Sequence, residues 1–253
     1  MLAAELFERT GFEVMFRALH VVVGIAWIGL LYYFNVVQVP AFAELEPAQR
    51  SAAIDKIANR ALWWFRWAAA ATVVMGVLIL GIQDPFGAGS DKTGFSTDYW
   101  GTIRGTGILT GILLGFTMFL NVWLIIWPKQ KIVIANARNV LAGGEADPNA
   151  AAAGRAALLA SRTNTFFSFA MIWFMVSTSF VDGLGFGTND GILGYWIVVL
   201  VLWAVLEAFG TGMIGGTAPS TLRWWEETHL RTIAAGVVLW IVFLILWLLL
   251  LNP

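Results

Sequence analysis

Six stretches of apolar residues, each close to twenty long, constrain this chain more than any other feature of it. About 20 such residues in a helix cross the hydrocarbon of a bilayer. No water is available there, so every backbone amide must be satisfied within the protein, which leaves α-helices or closed barrels. The runs are unbroken rather than alternating, which selects helices. The spacing of stops and charges predicts spans over Met15–Val37 (ending near Pro40), Leu62–Ile82 (stopped by Asp84-Pro85), Ile103–Trp127 (before Pro128), Asn164–Val181, Ile192–Met213 and Ile233–Leu251. The fold class is therefore an all-α, polytopic membrane bundle forming a single domain over 1–253.

Orientation follows from the basic residues. Arg50, Lys56, Arg60, Arg66, Lys129, Lys131, Arg138, Arg155, Arg162, Arg223 and Arg231 belong to one side, while only Arg9, Arg17, Lys92 and Arg104 belong to the other. Short loops rich in Lys and Arg stay cytoplasmic, so both termini are expected on the outer side of a bacterial inner membrane. Trp63, Trp64, Trp67, Trp127, Trp224 and Trp225 fall at cytoplasmic span ends and Trp100 at an outer one, as an interfacial aromatic belt requires. The first residues are acidic, not basic, and the run after them is long enough to span, so the N-terminus does not read as a cleavable signal. A net charge of −1 argues against a nucleic-acid partner. The absence of cysteine excludes disulfides, thiolate chemistry and a covalently attached c-type haem within the chain.

Two stretches between spans read as helical without crossing: 129–141, which continues span three, and 150–161, rich in alanine. Gly143, Gly144, Pro148 and Asn149 make the turn between them. Residues 129–161 thus form a cytoplasmic helical hairpin, expected on the membrane surface. Gly107, Gly111 and Gly115 recur every fourth residue on span three, a flat stripe that lets a neighbouring helix approach, from this chain or another copy. Gly183, Gly185 and Gly187 read as an outer turn after a span, not as a dinucleotide loop.

Polar groups inside hydrocarbon are costly, so each is a candidate site. His20 lies about one turn into the first span. Neutral imidazole binds metal and haem iron well, and the alternative is a hydrogen bond to a neighbouring helix. His229 is at the opposite end of the bilayer and cannot share an iron with it. Met75, Met118, Met171 and Met175 are second ligands by type only; packing is their ordinary role. Glu207, about two-thirds along span five, must be protonated or paired, in a proton path or with a backbone group or Arg66. Asn35, Asn121 and Asn164 sit at cytoplasmic span ends and are expected to cluster with it.

The run from Leu19-His20 through Trp27-Ile-Gly29 resembles the membrane domain of the bacterial membrane-bound urate oxidase (urate hydroxylase) family. The likeness continues through Trp64-Phe65-Arg66-Trp67, the stretch Asn121 to Lys131 and the loop Gly143 to Asn164, covering spans one to four well and the last two weakly. The Leu-His…Trp pattern is also similar to membrane-bound protoporphyrinogen oxidases and copper-resistance membrane proteins. The resemblance implies a multi-span domain followed in the family by an outer cytochrome c domain, and haem b or metal at a first-span histidine, here His20. No cytochrome c domain lies within these 253 residues. The family's later-span histidines are replaced: the corresponding stretches read Arg60-Ala-Leu-Trp63, Thr163-Asn164-Thr165-Phe166 and Ser177-Thr178-Ser179-Phe180. Three readings follow. The chain is a redox module passing electrons to a cytochrome c or respiratory complex, or a non-catalytic or assembly subunit packing through the glycine stripe as an oligomer or in a larger complex. The third is a proton or small-solute pathway through Glu207 and the asparagines.

Overall fold

A computed structural model describes residues 7–83, 93–178 and 189–251. Among them there is no strand; the chain is a helical bundle. Helix α1 is Arg9–Glu44, α2 is Pro47–Ile82, the short α3 is Thr97–Trp100, α4 is Ile103–Leu141, α5 is Ala150–Ser177, α6 is Ile192–Gly210 and α7 is His229–Leu251. Five of them (α1, α2, α4, α6 and α7) are long and apolar enough to cross a membrane. Their outward faces carry the residues that lipid requires, such as Val22, Ile25, Leu193, Val201 and Leu249, all exposed.

Helix α5 contains the fourth expected span and differs from the rest. Its middle carries Ser161, Arg162, Thr163, Asn164, Thr165 and Ser168, all buried. A helix surrounded by protein needs no apolar outer face, and its polar groups bond to neighbours instead. Helix α5 packs against α4 and α7 along its length and touches α1 and α6. It is the axis of the bundle, while α1 and α2 form a long pair beside it. The Ser179–Val181 end of that span, the Asp84-Pro85 stop, Lys92 and the glycines 183, 185 and 187 lie outside the described residues.

Two helices run through prolines, at Pro128 as expected and at Pro40 beyond the expected end of span one. Helix α1 runs past Pro40 to Glu44, and α4 runs past Pro128 to Leu141. Each proline follows a π-helical stretch, Tyr33–Gln38 or Asn121–Ile126. A proline removes the bond from its own nitrogen to the carbonyl four residues back, here Val36 or Leu124. Both carbonyls sit in the widened turns, so the mismatch is absorbed where the i→i−4 ladder is already interrupted. A third π stretch, Ile54–Ala58, places Asp55 against Arg138 of α4 at 2.5 Å. The stretch 129–161, expected as a hairpin on the membrane surface, is formed by the end of α4 and the start of α5.

The glycine stripe is used inside the chain. A Cβ at Gly107 would come within 2.9 Å of Thr178 and 3.2 Å of Trp247, and one at Gly111 within 3.3 Å of Phe174. Gly115 faces Met171. The stripe is therefore the seat of α5, with Trp247 of α7 closing its Gly107 end.

Candidate functional site

Glu207 lies closer to the basic end of the bundle than expected, because α6 stops at Gly210. A Cβ at Gly210 would overlap the Thr163 hydroxyl, so the helix can approach α5 only with glycine there. Gly212 then takes φ +82°, a left-handed turn that directs the chain away from the helix axis. From this position Glu207 reaches α4: the Asn121 amide nitrogen donates to its Oε2 at 3.3 Å and to Asn164 Oδ1 at 2.9 Å. Asn164 in turn donates to the Met118 carbonyl at 2.9 Å. Three helices thus meet in one polar centre. Asn121 and Asn164 are buried, Glu207 is half-buried, and its Oε1 has no partner among the described residues.

The same α4–α6 seam carries two more polar rungs toward the opposite end. Trp203 donates to Thr117 at 2.9 Å, and Tyr195 meets Thr110 at 3.1 Å. Both threonine hydroxyls already donate to their own helix carbonyls, at Leu113 and Thr106, so each accepts from α6. These rungs hold the helices together and have no proton left to pass on.

The other two expected members lie elsewhere. Asn35 is on α1, across α5 from Glu207, and donates to Ser161 Oγ at 2.8 Å and to the Leu31 carbonyl at 2.9 Å. That carbonyl is the one a regular helix would give to the backbone of residue 35, so the side chain completes the π turn. Arg66 does not pair with Glu207. Its guanidinium stacks 3.7 Å above the Trp127 ring.

A second buried cluster lies next to the first and was not legible in the sequence, where Arg223 reads as an ordinary loop charge. Arg223 and Glu226, in the 3₁₀ stretch Thr221–Glu226, are fully buried and paired at 2.9 Å. Arg223 also donates to the Ile214 carbonyl and lies 5.0 Å from the Phe209 ring centre. Glu226 accepts from Thr163 at 3.2 Å, and its carbonyl accepts from Arg162. Arg155 clasps Glu227 at 2.7 Å. The segment between α6 and α7 is thereby bound to α5 at three points. Burial pushes the Glu226 carboxyl up to about 7, against the pull of Arg223.

His20 faces α2. Its Nδ1 lies 2.9 Å from the Thr72 carbonyl, which only accepts, so Nδ1 carries the proton and Nε2 keeps its lone pair. A Cβ at Gly76 would sit 3.3 Å from the ring, so that glycine makes room for it. One turn pair further along α1, Trp27 is buried with its indole nitrogen unpartnered among the described residues. For a haem, this seam supplies one axial nitrogen, oriented by Thr72 as ligating histidines are by their outer partners. Of the other candidates, Met118 is buried in the core and Met171 and Met175 pack on the glycine stripe, while Met75 lies on α2 next to Gly76; no three His, Cys, Asp or Glu side chains gather among the described residues.

Residues 94–241 match the protein family described as urate oxidase N-terminal. Searches of curated proteins and of solved structures find no match. The matched segment carries Asn121, Asn164, Glu207, Arg223 and Glu226; His20, Asn35 and Arg66 precede it. It covers spans three, four and five and the first part of span six, while spans one and two, where the likeness read from the sequence begins, precede it. Since it covers more than half of the 253 residues, this membrane chain belongs to the urate oxidase N-terminal family.

Proposed function

We propose that the chain is the membrane module of an oxidase system and that its working group is the Glu207 carboxyl, which exchanges a proton with the basic side of the membrane. One observation carries the reading: a glutamate within the family segment is held at a junction of three helices, with Oε2 bonded to Asn121 and Oε1 left without a partner. Asn121 has two amide hydrogens, one for Asn164 and one for Oε2, so it serves the ionised carboxylate and the neutral acid without rearrangement. Oxidation of an organic substrate such as urate releases protons along with electrons. The centre would accept the protons, while the electrons leave to a cytochrome c or a respiratory complex in a bacterial inner membrane with the chain's termini outward. Infrared difference spectra of the purified protein across a pH titration should show the carbonyl band of a protonated carboxyl that Glu207→Gln removes while the variant stays folded. A band unchanged by the substitution would remove the reading.

A second reading rests on His20, whose free Nε2 suits one axial position of a haem b; such a group would supply one-electron transfer there. His20 would bind it, Thr72 would hold the ring, and the other axial ligand would come from a second copy or a partner. Purified protein expressed with ample haem should then show a Soret band that His20→Ala removes. A colourless preparation would eliminate this reading and leave the Glu207 centre untouched.

A further inference from the structure

At the basic end of the α2–α4 seam two cations share one indole, and no carboxylate among the described residues answers either of them. The Arg66 guanidinium lies 3.7 Å above the Trp127 ring centre, and Lys131 Nζ lies 6.0 Å from the same ring. Arg66 Nη1 is enclosed with no acceptor among the described residues. Asp55, the acidic residue of α2, is already taken by Lys56 and Arg138, at 2.7 and 2.5 Å. A charged donor left unsatisfied at the edge of hydrocarbon is costly, and a mobile anion from the surroundings is the available partner.

The surroundings are specific. On α2, Lys56, Arg60, Trp63, Trp64 and Trp67 recur along one exposed face, with the three indoles 46, 64 and 48% accessible. Cations occupy the outer end of this stripe and rings the inner end. Trp67 meets Trp123 of α4 edge-on at 5.4 Å, so the seam is floored by aromatic rings immediately beyond the two charges. Cationic and aromatic groups in that order match a lipid, with a phosphate at the surface and acyl chains below it.

We propose that this seam binds the headgroup of an anionic phospholipid of the phosphatidylglycerol type, with Arg66 donating to its phosphate, Lys131 adding charge and the Trp67–Trp123 pair bedding an acyl chain. The site is independent of Glu207 and His20. Trp127 holds the guanidinium flat, and Nε and Nη2, which are not enclosed as Nη1 is, remain for the phosphate.

The test is native mass spectrometry of the full chain in detergent, with equimolar phosphatidylglycerol and phosphatidylcholine. One cation near a membrane surface favours an anionic lipid by about fivefold. The wild-type protein should retain phosphatidylglycerol by at least that ratio. Arg66→Gln should lower the ratio about fivefold, Arg66→Lys should lower it less, and Arg231→Gln, on an exposed residue of α7, should leave it unchanged. An undiminished preference in Arg66→Gln, or no preference in the wild type, overturns the proposal. So does displacement of the lipid by inorganic phosphate alone, which would mark a simple anion site. Should Arg66→Gln not fold, Trp127→Leu keeps the charge and removes its support; an undiminished preference there also overturns it.

Discussion

Removing Arg223 tests the buried cluster between α6 and α7 most sharply. Both Arg223 and Glu226 are fully enclosed, and they pair at 2.9 Å. Arg223→Ala leaves a buried carboxyl without its cation, strips the Ile214 carbonyl of a donor and opens space beside Phe209. Breaking one side of a buried pair costs about 3–5 kcal/mol. For a chain of this size that is a fall of roughly 10 °C in melting temperature. The cost depends on pH, and the sign follows from Glu226. Its folded pKa, about 7, is above the ordinary carboxylate value of 4.5, so the folded state binds the extra proton between those values. Stability from this group is present at low pH and declines as pH rises through that window, by at most ~3 kcal/mol. Without Arg223, the chief influence holding that pKa down, the window extends upward. The difference between variant and wild type should therefore widen from about pH 6 to about pH 8. Replacing both partners with apolar residues, Arg223→Met with Glu226→Leu, removes the stranded charge and should melt within a few degrees of wild type, since such swaps are often neutral. Arg162 retains its bond to the Glu226 carbonyl in that double variant. Thermal melts in one detergent across that pH range decide the matter. If the double variant falls as far as the single one, or the gap does not change with pH, the reasoning is wrong.

Asn164→Ala removes the donor to Met118 and the acceptor of Asn121 at a fully buried position and should cost about 1–3 kcal/mol; melts of the purified protein would show it. Gly236→Ala places a Cβ 2.7 Å from the Phe169 ring and 3.0 Å from the Phe166 carbonyl, forcing α5 and α7 apart; a loss of about 1–3 kcal/mol is expected, and a wild-type melting temperature would contradict that packing.

Most of the membrane character was legible because it is local. Apolar length, interruptions and the placement of charge act within a single segment, and the requirement for internal hydrogen bonding then leaves only helices. The helix ends were less legible. Pro40 reads as a stop by local rules, and the π turn before it, like the one before Pro128, lets the helix continue. Such turns arise from register between packed helices and side chains like Asn35, which carry little signal of their own.

Asn35, Asn121 and Asn164 all stand at the same depth, so the sequence alone could not divide them. Rotation about α5 does: residues 161 and 164 point to different neighbours, Asn35 on one side and Asn121 with Glu207 on another. Arg66 was a plausible partner for Glu207 by charge and depth, yet it faces a separate seam and stacks on Trp127. Arg223 and Glu226, three residues apart in a connecting segment, carry no mark of burial, because enclosure is conferred by α5, more than fifty residues away in sequence. By itself, then, the sequence determined that the chain is built of membrane helices and which polar residues they carry, since solvent partition and hydrogen bonding operate residue by residue. Only the tertiary structure decided which of those polar groups meet, because that depends on how each helix is rotated and how closely its glycines let a neighbour approach.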